Sequence, residues 1–126
     1  MILIFGGAYQ GKLAYALDRF KATENDVYRC KSDDTRIPEN RKIIYEIDKW
    51  ILALVEKDID VEKPMRQFID VNQDKIIICN DISCGVVPLD PVLRKWREAV
   101  GRSLAVLSRV SDEVIRLFCA IPTRVK

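Results

Sequence analysis

Gly6, Gly11 and Lys12 in the stretch GGAYQGKL (6–13) fall at the spacing G-x-x-x-x-G-K of a phosphate-binding loop. Backbone amides of a glycine-rich turn, joined to the positive end of a following helix, form a nest for phosphate oxygens. Lys12 would add a point charge for the β- and γ-phosphates of a nucleotide. The residues expected to line such a site are Gly6, Gly7, Ala8, Gln10, Gly11, Lys12 and Leu13. Leu13 stands where Ser or Thr usually offers a magnesium-binding hydroxyl, so any Mg²⁺ site is weakened and no metal ligands are assigned. The competing reading is a tight strand-to-helix turn with an exposed lysine.

Other chemistry-bearing residues are fewer. Asp81 ends the stretch IIICND (76–81), at the edge where open parallel sheets bind ligands. It is a candidate for catalysis beside Lys12, by holding a metal-bound water or a substrate hydroxyl, or it is a solvated strand end. Asp33 and Asp34 lie in a polar stretch that favours simple solvation. Trp50 and Trp96 fall on apolar helix stripes, which points to core packing rather than base stacking. The chain has 4 cysteines without metal-ligand spacing, expected to be buried small hydrophobes, and no histidine. A histidine general base, nucleophile or metal ligand is therefore excluded.

The elements that must position these groups alternate between strand and helix. ILIF (2–5) has the continuous apolar pattern of a strand buried on both faces, and Leu13, Ala16, Leu17 and Phe20 follow at helical spacing. Val27 and Tyr28 mark a brief second strand, and residues 30–40 a loop. Ile43, Ile44, Ile47, Trp50, Ile51, Leu54 and Val55 form one stripe, which predicts an amphipathic helix over 39–57. Pro64 opens a short helix with Met65, Phe68 and Ile69 inward. KIIICND (75–81) is a strand, and Val92, Leu93, Trp96, Val100, Leu104 and Leu107 are the core face of a long helix. EVIRLFCAI (113–121) is expected as the last strand. The alternation predicts an α/β fold with a mostly parallel sheet flanked by helices.

With 126 residues the chain forms a single domain over 1–126. Its 21 basic and 19 acidic residues give a net charge of +2, interspersed along the chain, which argues against a nucleic-acid partner. No apolar run approaches the ~18 residues that span a bilayer. MILIF lacks a basic flank and reads as a strand rather than a signal peptide, so a cytoplasmic location without membrane partners is expected.

Two stretches at opposite ends resemble the bifunctional adenosylcobinamide kinase / adenosylcobinamide-phosphate guanylyltransferase family. ILIFGGAYQGK (2–12) is similar to that family's I-L-V-T-G-G-A-R-S-G-K. Over residues 80–126, NDISCGVVP, Arg94, WRE (96–98), GR (101–102), SDEV (111–114) and AIP (120–122) follow the order and intervals of its second half. The resemblance implies a P-loop NTPase-like fold, ATP or GTP as the nucleotide, a corrinoid acceptor and assembly of several copies. It maps Gly6, Gly7, Gly11 and Lys12 onto the phosphate loop, and Asn80, Asp81, Gly85, Pro88, Arg94, Arg97 and Gly101 onto the second stretch.

Several positions depart from the pattern. The guanylyl-accepting histidine is missing, so transfer through a guanylylated histidine is ruled out and at most phosphoryl transfer from the triphosphate remains. The family's serine before the second glycine is Gln10, the hydroxyl is Leu13, and the chain is shorter than the family. The family also has a strand ending in an acid; its nearest counterpart here is IIYEIDKW (43–50), where Glu46 and Asp48 both qualify although the periodicity reads as helix. Two functions follow: a kinase-like nucleotide-binding protein, or a catalytically inactive paralogue acting as a binding or regulatory subunit.

Overall fold

The computed structural model describes residues 1–126. Its centre is the pair β1 (Ile2–Gly6) and β4 (Ile76–Asn80), two runs so apolar that both faces must be covered. They belong to a six-stranded sheet with order β2-β3-β4-β1-β5-β6, where β2 is Val27–Arg29, β3 Ile43–Tyr45, β5 Glu113–Phe118 and β6 Ile121–Arg124. β1 to β5 pair in parallel, and only β6 runs antiparallel, folded back on β5.

Because side chains alternate across a strand, each strand feeds two cores. Leu3, Ile44, Ile77, Cys79 and Val114 face α2 (Ile47–Glu56), α3 (Glu62–Val71) and α4 (Pro91–Val110). Ile4, Ile43, Ile76, Ile78, Ile115 and Leu117 face the other way, where α1 (Lys12–Arg19) supplies Ala16 and Leu17. Trp50 is buried against Phe68 and donates Nε1–H to the Thr35 carbonyl at 2.9 Å; Trp96 donates to the Asp48 carbonyl at 2.7 Å. Both indoles pack as the apolar stripes require. No helix is long and apolar enough to cross a membrane.

Five expectations are corrected. The helix predicted over 39–57 is instead β3, then Glu46 in a left-handed conformation (φ 60°), then α2. Ile43 and Ile44 are both fully buried because each faces a different core, and that continuous burial imitates one helical stripe. The last strand does not run through 113–121: it stops at Phe118, turns at Cys119–Ala120 and returns as β6. Val92 and Leu93 are exposed, so α4 reaches the core only from Trp96 onward, through Trp96, Val100, Leu104 and Leu107. Cys30 and Cys79 are buried as expected, but Cys84 and Cys119 are exposed. α3 starts two residues before Pro64, with Met65, Phe68 and Ile69 buried inward.

Candidate functional site

The phosphate-loop residues leave the sheet at the carboxyl end of β1, and local backbone constraints shape the exit. A Cβ on Gly6 would lie 2.3 Å from the Leu117 carbonyl oxygen, so no larger residue fits beside β5. Gly11 precedes α1 at φ 83°, a left-handed conformation that glycine takes without steric cost. Between them Ala8 and Tyr9 are exposed, and Tyr9 is left-handed at φ 58°.

Nothing in the protein caps α1: Gly11 has no side chain to do so. From Gly7 through Ala14, no backbone amide donates a hydrogen bond to any protein atom; the first that does is Tyr15, to the Gly11 carbonyl at 3.0 Å. The start of α1 and the turn before it thus carry unpaired backbone donors at the positive end of a helix dipole, a combination that favours anions.

Lys12 lies at the base of this turn with only 4% of its surface exposed. Its Nζ donates to the Gly7 carbonyl. Burial pushes its pKa below the usual 10.5, opposed chiefly by Asp48, then by Cys79 and Glu46. Asp48, 1% exposed in the first turn of α2, accepts from the Asn80 backbone N–H at 3.0 Å and from Asn80 Nδ2 at 3.3 Å. This ties α2 to the end of β4, with the carboxylate close enough to act on the lysine by its charge. Cys79 is buried, and desolvation pushes its thiol pKa well up, which disfavours the thiolate.

Asp81 follows β4, and its backbone N–H donates to the Gly6 carbonyl at 2.9 Å, placing it next to the loop. Its carboxylate closes a turn of its own, accepting from the Ser83 N–H at 3.0 Å, from Ser83 Oγ and from Cys84 Sγ. Arg97 secures the same segment from α4 by donating to the Ser83 and Gly85 carbonyls, while its buried Nη1 has no protein acceptor. Arg94 is exposed on the first turns of α4. Asp33 and Asp34 lie elsewhere, in a polar depression with Lys31, Thr35, Arg36 and Lys57. A cavity of about 730 Å³ opens between the α2–α3 turn and α4, and none of residues 6–13 lines it.

The donor set does not make a magnesium cage. Leu13 offers no oxygen, and no three acidic or cysteine side chains converge anywhere in the chain. What the loop does present is a run of unpaired amides and one lysine ammonium. Of the two acids that sequence reasoning left open, Glu46 directly follows β3, whereas Asp48 is buried and bonded to Asn80, a contact that only the fold could reveal. No protein-family model matches the chain, and no curated protein matches its sequence.

Proposed function

We propose that residues 6–13 cradle the phosphates of a nucleoside triphosphate, ATP or GTP, in a P-loop NTPase-like fold. The observation that carries this reading is the uninterrupted run of unpaired amides from Gly7 to Ala14, closed at its base by the buried Lys12. In this reading the amides bind the β- and γ-phosphate oxygens, and the Lys12 ammonium leaves the Gly7 carbonyl for a phosphate oxygen. Fixed donors of this kind stabilise charge that develops on a transferring phosphoryl group. Asp48 orients the lysine by its charge, and Asp81 borders the mouth where an acceptor hydroxyl would enter. The two stretches similar to the cobinamide kinase family make a corrinoid side chain the first acceptor to try, in a protein of cobalamin biosynthesis that assembles from several copies.

A second reading has a specific observation behind it. Leu13 packs in the α1 core where a metal-binding hydroxyl would stand. That favours a paralogue that binds nucleotide without turning it over and acts as a regulatory subunit. Calorimetry with ATP and GTP, followed by a turnover assay with magnesium and a corrinoid acceptor, separates the two. Binding with turnover supports the kinase, binding without turnover supports the regulatory subunit, and no binding removes both.

A further inference from the structure

The loop is touched from the far end of the chain. β5 and β6 are joined by Cys119 and Ala120, and both central residues are left-handed, at φ 50° and 61°. Two-residue hairpin turns favour this geometry, but Asn-Gly is the pair that adopts it readily, whereas Cys-Ala resists it. The hairpin's own pairing ends at Phe118 and Ile121, which leaves the Cys119 and Ala120 amides with no partner inside it. Gln10 takes both. The Cys119 N–H donates to Gln10 Oε1, and the Ala120 N–H donates to the Gln10 carbonyl at 3.1 Å.

Two further contacts run along the same side. A Cβ on Gly11 would sit 3.4 Å from Ala120 Cβ, and the Leu117 carbonyl occupies the space beside Gly6. From Gly6 to Gly11 the loop is therefore backed by β5 and its turn. Gln10 spends its carbonyl and its side-chain oxygen on that backing, while its own amide stays unpaired.

We infer that the β5–β6 turn is a strap that sets the open shape of the anion loop, with Gln10 as its positioning residue. Its bearing on ligand affinity rests on the nucleotide reading above. The strap explains why a disfavoured turn persists: its two outward amides have an acceptor only while residues 119 and 120 stay left-handed. It also gives Gln10 a task other than touching phosphate, since its side-chain oxygen faces the hairpin.

The test compares the full chain with Gln10→Ala and Gln10→Glu, the latter keeping a side-chain acceptor. Amide resonances are recorded without ligand, thermal midpoints are measured, and ATP is titrated by calorimetry. In Gln10→Ala the amide resonances of Gly7 to Leu13 shift, Cys119 N–H exchange accelerates, and the thermal midpoint stays within a few degrees. Loss of one neutral hydrogen bond corresponds to an ATP dissociation constant raised roughly two- to tenfold. In Gln10→Glu the ligand-free resonances and Cys119 exchange return toward wild type. Resonance changes confined to Gln10 and its two neighbours, or an unchanged ATP affinity beside normal wild-type binding, would overturn the strap. Failure of the wild-type chain to bind ATP, with the ligand-free shifts as described, supports the strap and sinks the nucleotide reading alone.

Discussion

Helices α1 and α4 follow the two central strands, yet they begin in opposite ways. α4 opens on Asp90-Pro91: proline has no N–H, Asp90 accepts from the Val92 and Leu93 amides at 2.8 and 3.4 Å, and the Arg94 amide returns to the Asp90 carbonyl at 3.0 Å. Every donor of that helix end is used. α1 opens on a glycine and leaves the amides of Lys12, Leu13 and Ala14 unpaired, with the preceding loop equally open. The chain has the residues to close a helix start and closes one of the two. The open one also holds the buried lysine, and on the proposed reading it is the end that receives an anion.

The largest expected effect comes from filling the backbone approach that shapes the open end. Gly6→Ala would press a methyl onto the Leu117 carbonyl and force alanine to φ 153°, so a loss of about 3 kcal/mol in unfolding free energy is expected in denaturant titration. Wild-type stability would show that the sheet yields there. Lys12→Ala removes the only cation at the base of the loop, and an ATP affinity lower by roughly 10- to 100-fold is expected in calorimetry, the worth of one charge-assisted bond. Asp90→Ala strips the cap from the closed end. It should cost about 1 kcal/mol of stability and leave ATP affinity at its wild-type value; a matching loss of affinity would erase the contrast between the two ends.

The smallest effect is one of pH. Because burial lowers the Lys12 pKa, the ammonium discharges below pH 10.5. ATP affinity should fall as pH rises through that depressed value, and Lys12→Ala should lose this fall. Stability moves the other way. The folded chain binds fewer protons there, so the penalty of burying the ammonium is present below the folded pKa and eases as pH climbs toward 10.5. Denaturant midpoints of the two proteins across pH 8–10.5 check the sign.

The strand–turn–helix frame around residues 6–13 was legible because its requirements are local: glycines at fixed spacing, a buried strand before and a helical stripe after. β3 was not, since Ile43 and Ile44 each fill a different core and leave no alternation to read; only the left-handed Glu46 separates strand from helix. The bond between Asp48 and Asn80 was not legible, because the two residues are distant in sequence. β6 left no separate signal, since Ile121 continues the apolar run of β5, the strand is exposed along its length and its turn lacks the residues that announce a hairpin. What holds that turn is Gln10, a contact between the two ends of the chain.

The claim at the centre of this account is that one helix start is kept open for phosphate and the other is not. Titrating the isotope-labelled chain with ATP while following amide resonances reads both ends at once. Saturable shifts concentrated at Gly7 to Leu13, with Val92 and Leu93 unmoved, are the expected result. Shifts centred on the cavity between α3 and α4, or no saturable shift anywhere, would contradict it.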